Sequence, residues 1–233
     1  MNQFYTIAQF ISPADNGPIY RETTDLTQLI VEPWNAYSSL TFILVALILL
    51  RQLRGRFNAF PFIVYYCVPL LIIGGLGSTL FHAFRSSVWL LLLDVLPIVA
   101  LVLGVSIWMW LKVLPKKWLV FPIVVVFIGL TYITGVLFSG QDQISAGYVV
   151  RGTMLLLPCS LYLTKTSFKL GRLFIGACSC FVLALTFRYI DEKVELSWMW
   201  WGTHWLWHVS TAAGAYFLGR YLIGNTGKPL PVG

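Results

Sequence analysis

Three histidines and one aspartate carry the chemistry legible in this sequence. His82 closes the stretch Gly77-Ser-Thr-Leu-Phe-His82, and Asp94, the one carboxylate set deep in an apolar segment, follows twelve residues later. His204 and His208 lie much later, in Gly202-Thr-His-Trp-Leu-Trp-His208. Their i, i+4 spacing puts both rings on one face of a helix, a common way to offer two ligands to one metal. Three imidazoles leave the fourth position of a tetrahedral Zn²⁺ open to water, the arrangement of catalytic rather than structural sites. Zn²⁺ lowers the pKa of such a water to about 7. Asp94 is then the candidate general base. Ser78, one turn before His82, is the candidate donor to a carbonyl oxygen as it becomes an oxyanion. For any single histidine the competing reading is a hydrogen-bonding packing residue. Three histidines and an aspartate in apolar sequence read together as functional, because ionisable groups inside a membrane are costly unless paired or liganded.

The elements that must position these groups are membrane helices. The chain of 233 residues is 58% hydrophobic and only 11% charged, with a mean hydropathy of +0.78. Soluble domains carry roughly 25% charged residues. This balance predicts an all-α, integral multi-pass membrane protein whose partner is the lipid bilayer. The net charge of +7 is accordingly read against the membrane and not as a nucleic-acid surface. Seven apolar stretches, over 35–50, 60–84, 88–111, 118–138, 146–164, 170–188 and 198–223, each approach the ~20 residues that span a bilayer. The domain plan is an extramembrane segment over 1–34, a seven-helix domain over 35–223 and a short tail over 224–233. Residues 1–34 are polar to mixed, lack the basic start of a secretory signal, and have room for a short interfacial helix. Cys67, Cys159, Cys178 and Cys180 all sit in apolar segments and read as small buried hydrophobes.

Charge sets the expected orientation. Arg51, Arg54, Arg56, Lys112, Lys116, Lys117, Lys165, Lys169, Arg172, Arg220 and Lys228 fall in alternate connections and the tail, unaccompanied by any acid. Arg21, Arg85, Arg151, Arg188 and Lys193 share the other side with every acid except Asp94. The positive-inside rule then predicts an outer or lumenal N-terminus and a cytoplasmic C-terminus. In that topology His82 sits near the outer end of segment two. Asp94 lies about two turns into segment three, and His204 about two turns into a segment seven that starts near Ser197. All of them fall in the outer half of the bilayer. Arg188 and Asp191 are expected to pair at the outer face, and the tryptophans at 198, 200, 201, 205 and 207 to form an interfacial belt, one or two of them lining a lipid cavity.

The motifs resemble a known family. Glu32-Pro-Trp-Asn35, Gly77-Ser78-x-x-Phe81-His82, Leu93-Asp94-x-x-Pro97 and His204-x-x-x-His208, with Thr211 and Gly214 following, are similar to those of the alkaline ceramidases. These belong to the CREST superfamily of seven-transmembrane metal hydrolases. The resemblance runs from about residue 18 to 220. It implies His82, His204 and His208 as zinc ligands and Asp94 and Ser78 around the reacting water and oxyanion. It further implies hydrolysis of ceramide, or of another N-acyl membrane lipid, to a sphingoid base and a fatty acid. It also raises a Ca²⁺ site in the N-terminal segment, for which Glu22, Asp25 and Glu32 are the candidates. A solvated acidic segment is the competing reading. Two departures stand out: Arg21 puts a positive charge in that segment, and Ala83-Phe-Arg85 replaces a small polar turn.

Two other readings compete with an enzyme. A seven-helix receptor of the adiponectin-receptor and progestin type shares the superfamily, but its N-terminus lies inside, opposite to the charge bias here. A transporter with a His/Asp relay requires polar groups along both halves of the segments, and the inner halves carry few.

Overall fold

The protein is described here from a computed structural model, over residues 13–226. The start of the N-terminal segment and Lys228 with the end of the tail lie outside the described residues. Seven long helices follow one another: α1 Pro33–Gln52, α2 Ile63–Phe84, α3 Val88–Val113, α4 Val120–Leu137, α5 Gly140–Lys165, α6 Gly171–Lys193 and α7 His204–Thr226. Among the described residues there is no strand. Residues 13–32 form turns and coil, with no helix.

Helices α1 to α6 are long and apolar enough to cross a membrane. The seventh matches them in length but is not among them. Two histidines, Arg220, Asn225 and a run of small residues dilute its apolar content. The expectation of seven spans therefore holds for helix number, and for plain apolar character in six. Lipid exposure is clearest on α4, where Phe121, Ile128, Tyr132 and Val136 are all exposed. A helix apolar all round, with bulky side chains outward, suits a lipid surface.

Local sequence explains the irregularities. The first turn of α2, Ile63–Cys67, is π-helical. Pro69 follows; its ring excludes the carbonyl four residues back and supplies no N–H, a usual cause of such a bulge. The turn between α2 and α3 is only Arg85-Ser-Ser87, and the Ser87 hydroxyl caps α3 by accepting from the Trp89 amide at 3.2 Å.

The α2–α3 crossing sets the site. Pro97 lies inside α3, so the Leu93 carbonyl lacks its normal intrahelical donor. Gly77 of α2 packs onto that carbonyl so closely that a Cβ there would lie 2.2 Å from its oxygen. Close backbone approach through a small residue is the usual device of membrane helix pairs, and Cα–H···O contacts accompany it. It brings Ser78 and Asp94, the next residue on each helix, face to face. Gly74, three residues earlier on α2, makes room for the Ile98 side chain of α3.

Helix α1 packs on α2 and α7, and α7 on α6. Phe42, Val45, Leu49, Val68, Leu71 and Ala212 join α1, α2 and α7. A second core, including Phe60, Met109, Cys159 and Tyr221, closes the end of the bundle away from the histidines. The cysteines are free thiols, Cys67 and Cys159 buried.

Gly77→Ala should force α2 and α3 apart and cost about 1–3 kcal/mol, the usual range for overpacking. A lowered melting temperature in detergent checks this. Gly129→Ala, whose added Cβ meets nothing within 4 Å, should melt like the wild type.

Candidate metal centre

The three histidines meet. His82, His204 and His208 are all buried, and their ligand atoms lie within 4.8 Å of one another. Ring centroids are 5.4 Å apart for His82–His204, 4.9 Å for His82–His208 and 4.7 Å for His204–His208. Ligands about 2.1 Å from a tetrahedral centre would be about 3.4 Å apart, so a small closure of the rings would complete the set. It is the one such cluster of metal-binding side chains among the described residues.

Each ring is oriented from behind. His208 Nδ1 lies 2.9 Å from the Ser38 hydroxyl and 3.3 Å from that of Ser39. His82 Nδ1 lies 2.5 Å from Glu32 Oε2. Both rings therefore keep Nε2 for a metal, the carboxylate–histidine and hydroxyl–histidine pattern that fixes tautomer and aim. His204 is held differently: Tyr20 stacks on its ring at 3.9 Å. Its Nδ1 is buried with no hydrogen-bond partner among the described residues. An orphaned imidazole nitrogen beside two aimed ones fits a metal centre and has little to recommend it otherwise. The donor set, three nitrogens and no thiolate, suits zinc among several divalent metals.

Helix α1 supplies the polar backing from one face. Asn35, Ser38 and Ser39 are all buried. Ser39 Oγ donates to Ser78 Oγ at 3.0 Å, and Asn35 Nδ2 to Glu32 Oε2 at 3.1 Å. Glu32 is fully buried. Burial alone would raise its carboxyl, but the His82 ring, the Arg85 guanidinium and the Thr23 hydroxyl outweigh it and hold the carboxyl at about 2. Asp94 and Ser78 line a cavity with His204 and His208. Ser38, Ser39 and Tyr20 escaped the sequence reading. Glu32, Asn35 and Ser38/Ser39 fall at helical spacing in an otherwise apolar segment, and that pattern was the available signal.

Two expectations need correction at α7. His204 is not two turns into a helix but its first residue. Gly202 adopts φ +75°, and the Asp191 carboxylate accepts from the amides of Thr203 at 2.6 Å and His204 at 3.0 Å. A side-chain acceptor and a left-handed residue together start the helix there. Asp191 thus does not pair with Arg188. The Arg188 side chain instead donates to Ser145 Oγ at 3.1 Å and Gln141 Oε1 at 2.5 Å. Of the tryptophans, Trp198 and Trp200 are exposed, as a belt requires, while Trp207 is buried and lines the cavity beside Tyr148.

The calcium candidates do not share a site. Glu22 caps α1, accepting from the amides of Trp34 at 2.6 Å and Asn35 at 2.9 Å; burial pushes its carboxyl up to about 7 against the pull of those amides. Asp25 is exposed and accepts from the Thr27 hydroxyl and amide, which hold its carboxyl below the usual range. Glu32 is taken by His82 and Arg85.

The model of the family described as Ceramidase matches residues 25–225. The chain belongs to the ceramidase family. That match reaches all seven helices and includes all three histidines. A search of the curated proteins finds no match. Family membership implies a hydrolase, and a lipid substrate agrees with six helices apolar enough to cross a membrane.

Asp191→Ala should free the start of α7 and loosen His204. Metal affinity should fall about 10–100-fold, the range for lost support behind a ligand. Competition with a chromophoric chelator measures it, and Asp191→Asn, which retains an acceptor oxygen, should lose less.

Proposed function

We propose that this ceramidase-family chain is an intramembrane zinc-dependent amide hydrolase. It cleaves ceramide, or a related N-acyl lipid, to a sphingoid base or amine and a free fatty acid. The observation that carries the reading is the meeting of three buried histidines, two of which line a largely apolar cavity together with Asp94 and Ser78.

The cavity measures about 240 Å³. It runs from Ser78, Asp94 and His208 to Ile63, Val105 and Leu222. Along α2, Ser78 to Ile63 is about 22 Å at 1.5 Å per residue. A long acyl chain lies along such a slot with its amide at the polar end. The positive-inside bias puts that end in the outer or lumenal half of the bilayer, with the C-terminus cytoplasmic.

A zinc ion held by His82, His204 and His208 would supply Lewis acidity toward water and the scissile carbonyl. Asp94 takes the proton that the attacking water loses and returns it to the departing amine. Ser78 donates to the carbonyl oxygen as negative charge grows there. Ser39, 3.0 Å from Ser78, backs the Ser78 hydroxyl where it meets Asp94. Ser38 and Glu32 keep His208 and His82 aimed throughout. The family match does not favour the receptor and transporter readings.

One purified detergent preparation tests the proposal by metal analysis and by turnover of a fluorescent ceramide beside other N-acyl lipids. Wild type should carry close to one zinc per chain and hydrolyse at least one lipid. His208→Ala should lose or weakly retain zinc. Asp94→Ala should keep it while turnover falls about 10²–10⁴-fold, the usual worth of a general base. A zinc-free wild type prepared without chelator, or zinc with no turnover of any N-acyl lipid, would overturn the assignment.

A further inference from the structure

Arg85 is the largest fully buried side chain among the described residues. It closes α2 with left-handed backbone angles, φ +48° and ψ +34°, a region that non-glycine residues enter at a cost and keep only when their surroundings require it. Its surroundings do. Nε donates to Asp15 Oδ2 at 2.7 Å. Nη1 donates to Thr23 Oγ1 at 3.2 Å and to Glu32 Oε1. Nη2 donates to Asp15 Oδ1 at 3.2 Å and to the Pro18 carbonyl at 2.9 Å. A guanidinium has five N–H groups, and all five are used. The ring of Phe81 lies 4.7 Å from its carbon and that of Tyr20 5.7 Å.

These acceptors are two carboxylates, a carbonyl and a hydroxyl, drawn from the N-terminal segment and the start of α1. They are the oxygen ligands that a hard divalent cation gathers. Here the cation is covalently attached. The calcium expected from Glu22, Asp25 and Glu32 finds Glu32 already committed, with a fixed positive charge beside it. The second departure noted in the sequence thus has a place: Arg85, in the turn after α2, reaches into the segment where calcium was expected.

We propose that the Arg85 guanidinium is the built-in cation of the outer cap, pinning the N-terminal segment and holding Glu32 against His82, so that no divalent cation is bound there. Arg85 is a positioning residue. It reaches His82 through Glu32, and His204 through Tyr20, which stacks on that ring. Its fork matches two carboxylates in a way that a lysine ammonium does not. The part of the inference that concerns the metal rests on the zinc reading above; the part that concerns the cap does not.

The test uses full-length protein in detergent. Melting temperatures are recorded with EGTA and with millimolar Ca²⁺, and zinc retention is measured by chelator competition. Wild type should melt identically in EGTA and Ca²⁺. Arg85→Ala should melt lower, retain zinc at least tenfold more weakly, and regain melting temperature with Ca²⁺ or free guanidinium. Arg85→Lys should fall between the two. If Arg85→Ala does not fold, Asp15→Asn takes its place: it removes one carboxylate from the guanidinium, spares the Glu32–His82 contact, and should weaken zinc retention with no Ca²⁺ response. A wild type that Ca²⁺ stabilises, or an Arg85→Ala that melts and retains zinc like wild type, would overturn the proposal. A wild type without zinc or hydrolysis would sink the hydrolase reading while the Ca²⁺ responses still decide the cap.

Discussion

A single buried carboxylate ties the histidine cluster to the rest of the protein. Glu32 has no solvent exposure, and it meets His82 with one oxygen and Arg85 with the other. An unpaired charge at such a position would cost several kcal/mol, so Glu32, His82 and Arg85 can only be buried together. The backbone repeats the constraint: the Glu32 amide donates to the His82 carbonyl at 3.1 Å, and the Val31 amide to the Ala83 carbonyl at 2.9 Å. The start of α1 and the end of α2 therefore form as one unit. The polar face of α1, Asn35 to Ser39, is delivered to the other histidine helix from that fixed point.

The α2–α3 crossing is the second fixed point, and it is made of backbone. Proline at 97 exposes a carbonyl at 93, and glycine at 77 lets α2 settle onto it. Ser78 and Asp94 follow immediately on the two chains. Seen this way, Gly77-Ser78 and Leu93-Asp94-x-x-Pro97 are two halves of one contact rather than separate motifs. Glycine and proline make the approach, and the residue beside each carries the chemistry.

Much of this was legible in the sequence. Helix number and approximate limits follow from apolar runs near bilayer length, and the three histidines converge as their spacing and depth suggested. What failed did so for physical reasons. The run 198–223 reads as one apolar segment, but Gly202 and the Asp191 carboxylate break it. An acceptor supplied by a neighbouring helix leaves no mark in local periodicity. The same holds for Arg188 and Asp191, which are close in sequence and look like a pair until Thr203, His204, Ser145 and Gln141 compete for them. Tyr20 was invisible because it acts by stacking, across a long gap in sequence. Arg85 was noticed only as a departure, since its partners at 15, 18, 23 and 32 are distant in the chain.

The cap and the cavity together constrain how a substrate reaches the histidines. Tyr20 lies against His204, and Arg85 fastens the segment that carries it, so this end of the bundle is roofed by the residues that orient the histidines. Opening the roof to admit a lipid would disturb those histidines. A substrate that already lies in the bilayer needs no such opening, because its chains can pass between helices into the apolar slot while its amide rises to the polar end. The small water that must join it needs only a narrow path. In the proposed hydrolysis the lipid therefore enters from the side. The roof can stay closed through the reaction, and a rigid cation such as Arg85 suits it better than one that must bind and leave.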